Sequence, residues 1–278
     1  MKGLIVTADD FGASRQVNDA VLAAHRDGIL TATSLMVSAP AARDAVERAR
    51  ATPSLRVGLH IVLTDGRPTL PPAQIPDLVD TTGDFRNDMA LAGARMFFLP
   101  KVRRQLEAEI EAQFDAFHST GLSCDHVNAH KHFHLHPSIA SAILKCAGKY
   151  KVRAARVPLE PQALLARVEP HKASGVAMLT TPFSQMLRGR FARAGLRTPD
   201  QVFGLAWSGA MTEPRVLGLI ENLPDGLTEI YCHPATDGNW PGAARGYRYA
   251  EELAALLAPE VVRAARNSAI RRGGFADF

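Results

Sequence analysis

Short apolar runs that stop at acidic or histidine residues alternate, along most of this chain, with stretches of helical period. That alternation limits the fold more than any other feature. Leu4–Val6 runs into Thr7, Asp9 and Asp10. From Ser14 a helix follows, with Val17, Val21 and Ala24 on one face and Gly28 as its stop. Ser34–Val37 reads as a second strand, 41–51 as a helix ended before Pro53, and Leu55–Leu63 as a third strand carrying His60. The four-residue step of Val102, Leu106, Ile110 and Phe114, continued by Phe117, predicts a long amphipathic helix over 101–120, closed by Gly121. Cys124–Asn128 and Val152–Val157 read as strands flanking a helix opened by Pro137. A helix at 214–223, a strand at Leu227–Cys232 and a helix pair within 248–266 complete the pattern.

Repeated β-α order implies parallel strands joined by right-handed crossovers. The expected fold class is therefore α/β: a TIM-barrel-like (β/α) barrel, complete or incomplete, in preference to an open doubly wound sheet. A single domain over 1–278 is expected, with insertions near 66–100 and 159–210. Both segments are too long for ordinary connections. Hydrophobic residues at 46% and charged residues at 22% exclude global disorder. Lys and Arg number 32 against 28 Asp and Glu, a net charge of +4. That is too weak and too dispersed for a dedicated nucleic-acid binder, so no nucleic-acid partner is expected. The three cysteines, Cys124, Cys146 and Cys232, are widely spaced and fit a reducing compartment. No apolar run approaches the roughly 20 residues that span a bilayer. A soluble, cytoplasmic protein is the expectation.

In parallel α/β folds, chemistry gathers where strands end. Asp9 and Asp10 follow the first strand, His60 lies in the third, and Asn128, His130, His132 and His134 follow the fourth. His233 and Pro234 follow Leu227–Cys232. Five of the ten histidines fall between 126 and 136. In an extended segment alternate side chains share a face, so His126, Asn128, His130, His132 and His134 could all point one way. Burying so many imidazoles requires partners, and a divalent metal held by histidine nitrogens and a carboxylate is a natural one. Each feature also has an ordinary reading. Asp9 and Asp10 can form a turn with a helix cap, His60 can be a satisfied core histidine, the histidine run can be a surface tract, and His233 can simply end a strand. Their coincidence at strand ends favours a metal site.

Six segments, TADDFG (7–12), GILTATSLMV (28–37), VGLHIVLTDGRP (57–68), HVNAHKHFHLHP (126–137), RAAR (153–156) and CHPA (232–235), together resemble the YdjC-type carbohydrate deacetylases. GYRYAEELAALLAPEV at 246–261 resembles the hopanoid biosynthesis-associated HpnK branch. The resemblance implies a barrel-like fold and hydrolysis of the N-acetyl group of an amino sugar. It also implies one divalent metal ion, zinc or magnesium, held by Asp10, His60 and His130, with Asp9 as general base. One departure is Asn128, where related enzymes acting on diacetylchitooligosaccharides carry an acidic residue. His233, arriving on another strand, is the candidate acid for the departing amine. His132, His134, Arg153 and Arg156 are candidates for binding the substrate; for either arginine, an ion pair with an acidic residue is the alternative. A metal-dependent phosphoesterase and a non-catalytic metal or sugar binder are the competing readings.

Two segments point beyond the barrel. MALAGARMFFL (89–99) is unusually apolar for a connection, and MLRGRFARAGLR (186–197) combines four arginines with Met186, Leu187, Phe191 and Leu196. Together they suit a mouth that meets a lipid-linked sugar, an N-acetylglucosaminyl hopanoid, through peripheral contact at the inner membrane surface. The alternative places 89–99 under the barrel or in a homodimer interface, with the arginines on a solvated helix face.

Overall fold

A computed structural model describes residues 1–170 and 175–278 of the chain. Seven parallel strands form one sheet: β1 (Lys2–Phe11), β2 (Ala32–Leu35), β3 (Arg56–Ile61), β4 (Cys124–Ala129), β5 (Gln201–Phe203), β6 (Gly226–Cys232) and β7 (Ile270–Arg272). Six run in the order β4-β3-β2-β1-β6-β5, and β7 pairs with the start of β1. The sheet curves into an incomplete barrel whose outer strands are joined by the 154–159 segment. Val127 of β4 pairs with Ala155, and Val202 N of β5 donates to Leu159 O at 2.9 Å. These bridges replace the regular strand expected at 152–157. Arg156 is drawn inward there, and Pro158 has no N–H to give a neighbour.

Helices cover the outside in chain order. They are α1 (Arg15–Asp27), α2 (Ala42–Arg50), α3 (Met89–Phe98), α4 (Pro100–Ser119), α5 (Pro137–Lys149), α6 (Gln162–Val168), α7 (Gly175–Arg193), α8 (Glu213–Glu221), α9 (Tyr249–Leu257) and α10 (Pro259–Ala265). Ser14 caps α1, its hydroxyl accepting from Val17 N at 3.2 Å. Pro259 divides the C-terminal helix pair, since Ala258 before it is held extended at ψ 130°.

The two faces of β1 show how the barrel is filled. Leu4, Val6 and Ala8 pack outward with Val17, Val21 and Ala24 of α1 in the main core. Ile5 lies in a second cluster with Ala32, Ala154 and Phe275. Phe275 belongs to the C-terminal tail, which closes the amino end of the barrel. Asp125 holds that tail by accepting from Phe275 N at 3.0 Å and Ala276 N at 2.9 Å. The apolar filling therefore sits at one end, leaving Thr7, Asp9, Ser34, His60, Asn128, Arg156 and Glu229 buried toward the other.

The two irregular segments differ from simple insertions. Ile75, Leu78, Val79 and Phe85 of 66–100 enter the main core, and that segment ends in α3. The 159–210 segment contributes β5 to the sheet. No helix among the described residues is long and apolar enough to cross a membrane.

Candidate metal centre and its surroundings

Consecutive strand residues normally face opposite sides, so Asp9 and Asp10 need a distortion to share a site. β1 provides it. Between Ala8, paired with Thr33, and Phe11, paired with Leu35, β1 carries one residue more than β2. Asp10 occupies the left-handed region at φ 64°, outside normal strand geometry. Gly12 follows at φ 95°; a Cβ there would lie 3.1 Å from Ala42 Cα and 3.2 Å from Met36 O. Only glycine lets the turn pack this closely against the start of α2.

Asp10 Oδ1 then lies 3.3 Å from His60 Nε2 and 3.2 Å from His130 Nδ1, and the two ring nitrogens are 3.4 Å apart. Two donors about 2.0–2.1 Å from a common tetrahedral ion are separated by about 3.3–3.4 Å, so this triangle fits one cation. His60 Nδ1 donates to Asn128 Oδ1 at 2.7 Å. That bond leaves the lone pair of Nε2 facing Asp10 and His130. Burial disfavours the protonated His60 ring, yet Asp9 and Asp10 outweigh it and raise its pKa. The field that draws a proton to this point also favours a cation. Burial likewise acts to raise the Asp10 pKa, but His130 and His60 hold it well below the usual carboxylate range. Among the described residues this is the one group of three metal-ligating side chains.

Asp9 stands beside the triangle without joining it. Its Oδ1 accepts from Ser34 Oγ at 2.7 Å, Asn128 Nδ2 at 3.1 Å and Arg156 Nη2 at 3.0 Å. Its Oδ2 accepts from Arg156 Nη1 at 2.5 Å. Burial opposes the charge, and the Arg156 guanidinium overcomes it, keeping Asp9 ionised far below the ordinary carboxylate range. Arg156 also reaches Glu229 Oε1 at 2.7 Å and lies over the Tyr231 ring, 4.4 Å from its centroid.

Several sequence expectations change here. Arg156 is fully buried and pairs with Asp9 and Glu229, the ion-pair alternative to a substrate contact. Arg153 is exposed and makes no side-chain contact with this network. The strand alternation stops at Ala129, where His130–Leu135 tightens into a 3₁₀ turn with Lys131 and His132 at positive φ. The histidines consequently fan apart. His126 stacks on Phe275 at the closed end. His134 is buried, donating from Nε2 to Arg156 O at 3.0 Å; burial pushes its pKa down to about 3, so it is neutral. His132 is half-buried, 2.8 Å from Tyr231 Oη, and burial keeps it neutral as well. His233 lies at the end of β6 with its ring 5.1 Å from that of Tyr247, and Glu252 accepts from its backbone N–H.

Ser34, Glu229, Tyr231 and Glu252 are site residues that the sequence reading missed. Ser34, Glu229 and Tyr231 carried a usable signal, since each stands in a strand at alternate positions facing the barrel interior.

The family profile described as YdjC-like protein matches residues 3–267. The chain belongs to the YdjC-like family. This YdjC-like protein is 34% identical over 262 residues to a carbohydrate deacetylase of Geobacillus stearothermophilus, covering 93% of this chain and 90% of the relative. It is 32% identical to a carbohydrate deacetylase of Brevibacillus brevis, covering 93% and 92%. Among solved structures it resembles one from Enterococcus faecalis V583, provisionally described as a cellobiose-phosphate cleavage protein. That match has a TM-score of 0.77, 26% identity and coverage of 99% and 98%.

Proposed function

We propose that this protein is a metal-dependent carbohydrate N-deacetylase that hydrolyses the N-acetyl group of an amino sugar to acetate and a free amine. The observation that carries the reading is the ionised Asp9 carboxylate beside the Asp10–His60–His130 triangle, supported by the deacetylase relatives. The donor set, one carboxylate and two imidazoles, suits zinc and also accommodates magnesium.

A divalent ion held by Asp10, His60 and His130 would supply a Lewis acid and a readily deprotonated water. The chain's own groups do the rest. Asp9 is the base: Oδ2, which also accepts from Arg156 Nη1, takes the proton of the attacking water, while Oδ1 stays fixed by Ser34, Asn128 and Arg156 Nη2. Water oxygen bonds to the acyl carbon and the C–N bond breaks. His233 delivers the proton that the departing amine requires. Arg156, shared with Glu229, offsets the Asp9 charge and keeps the carboxylate in place.

The test is acetate and free-amine release from N-acetylated sugars, with and without chelator. Chelator-sensitive acetate release supports the reading, and phosphate release from phosphate esters would overturn it. The phosphoesterase alternative often uses two ions, whereas the described residues hold one ligand group.

A glycolipid substrate of hopanoid type, the finer possibility raised by the 246–261 segment, has its own support. Phe97, Phe98 and Leu99, at the corner between α3 and α4, are exposed, Phe98 by 73%. Phe97 packs edge-on to His136, next to the histidine turn. An apolar corner beside the site suits acyl chains. Co-sedimentation with liposomes tests it: failure to bind, combined with full activity on soluble chitooligosaccharides, removes the lipid.

A further inference from the structure

Glu252, in the first turn of α9, is fully buried, and the proton transfers derived above make no use of it. A carboxylate removed from water is costly unless hydrogen bonds and an opposing charge offset the loss. Each of its oxygens has one backbone partner. Oε1 accepts from Met211 N at 2.9 Å, in the segment that follows β5, and Oε2 accepts from His233 N at the end of β6. The side chain thereby ties together the ends of two paired strands. The opposing charge is less obvious. Among the described residues no lysine or arginine forms an ion pair with Glu252, and Arg248, the nearest in sequence, pairs with Glu251 instead. The group that can supply it is His233. Burial pushes the Glu252 carboxyl up, and the charge of His233 and the two backbone N–H groups act against that rise.

The His233 ring is held from two sides. Tyr231 meets it edge-on at 5.8 Å, and Tyr247 lies 5.1 Å away. Tyr247 is fixed in turn, its hydroxyl 2.8 Å from Ser208 Oγ and its ring against Gly209, where a Cβ would overlap it. Tyr231 carries the connection to the base: Arg156 lies over its ring at 4.4 Å and donates to Asp9 Oδ2 at 2.5 Å. His233 Nδ1 is buried and has no hydrogen-bond partner among the described residues. The Glu252 charge therefore acts on the ring through space, across the backbone that it grips. Besides Glu252, the charged and titratable groups around His233 are Asp9 of β1, His132 after β4, Tyr231 and Tyr247.

We propose that Glu252 is a positioning residue for His233, fixing its backbone through one carboxylate oxygen and keeping its imidazole cationic by its charge. The proposal rests on the deacetylase reading, in which His233 delivers the proton to the departing amine. A buried anion beside that imidazole favours the protonated form that the step requires.

The test reads His233 directly, by imidazole nitrogen NMR on the zinc-loaded protein, with the resonance assigned by its loss in His233→Gln. In Glu252→Gln the His233 titration midpoint is expected to move about one pH unit to the acid side, the scale for losing a close opposite charge. The basic limb of the kcat profile on an N-acetylated sugar should move with it, at nearly unchanged KM. Glu251→Gln, one residue away and exposed, should shift neither. An unmoved His233 midpoint in Glu252→Gln makes Glu252 a loop brace and overturns the proposal. Glutamine can accept only one of the two N–H groups, so His233→Gln supplies a second measurement that does not depend on that variant folding. Coupling between two groups is mutual; the Glu252 carboxyl, followed by carboxyl-carbon NMR, should titrate at higher pH in His233→Gln than in wild type, and no change there also overturns the proposal. Shifted midpoints without acetate release from any sugar keep the pairing and remove the deacetylase reading; acetate release with unshifted midpoints does the reverse.

Discussion

Asn128 and Asp9, 119 residues apart in the chain, meet at 3.1 Å, the amide nitrogen donating to the carboxylate while the amide oxygen holds His60 at 2.7 Å. One neutral side chain therefore orients both a proposed metal ligand and the proposed base. An acidic residue could accept from His60 but could not donate to Asp9.

Asn128→Ala is accordingly expected to weaken zinc binding about 10- to 100-fold, the usual effect of removing a group that orients a ligating histidine. Calorimetric titration with zinc checks this. Asn128→Asp should retain the His60 contact but set a second carboxylate against Asp9, raising the pKa read from the acid limb of the activity profile.

Asp9→Asn should leave metal affinity nearly intact, because Asp9 stands outside the ligand triangle. Turnover is expected to fall by about 10²–10⁴, the range for loss of a positioned proton acceptor. Metal content and acetate release, measured on the same preparation, separate the two effects. Equal loss of both would return Asp9 to a purely structural role.

Arg156→Met removes the cation shared by Asp9 and Glu229 in a fully buried setting. Stranding buried charge costs about 3–5 kcal/mol, readable as a lower urea midpoint. Arg156→Lys should recover only part of it, since one ammonium cannot reproduce the planar guanidinium that serves both carboxylates.

Asp125 predicts an acid-sensitive closure of the barrel's amino end. Burial opposes its charge, but His126 and the backbone N–H groups of Ala276 and Phe275 lower its pKa below 3.8. Its stabilisation is thus complete above the unfolded value and lost as pH falls through the lower folded one. Asp125→Asn should cost about 1–3 kcal/mol at pH 7, and the gap from wild type should narrow below pH 3.8. Chemical denaturation at pH 7 and pH 3 measures it; a gap that widens in acid contradicts this account.

Much of the framework was legible in the linear pattern. The apolar step of Val102, Leu106, Ile110 and Phe114 and the cap at Ser14 are local, so period and hydrogen-bonding capacity define those helices directly. Asp10 and His130 stand where polar residues replace an apolar run, and His60 lies within the apolar run that reads as the third strand. Tertiary structure decided which polar groups face one another. The extra residue in β1 turns Asp9 and Asp10 to a common site, and the positive φ of Lys131 and His132 breaks the histidine alternation. Arg156, Glu229 and Tyr231 meet only because distant strands close into a barrel. A period measured along the chain reports which side chains share a face, but a buried ion pair depends on register between separate strands, which no single segment encodes.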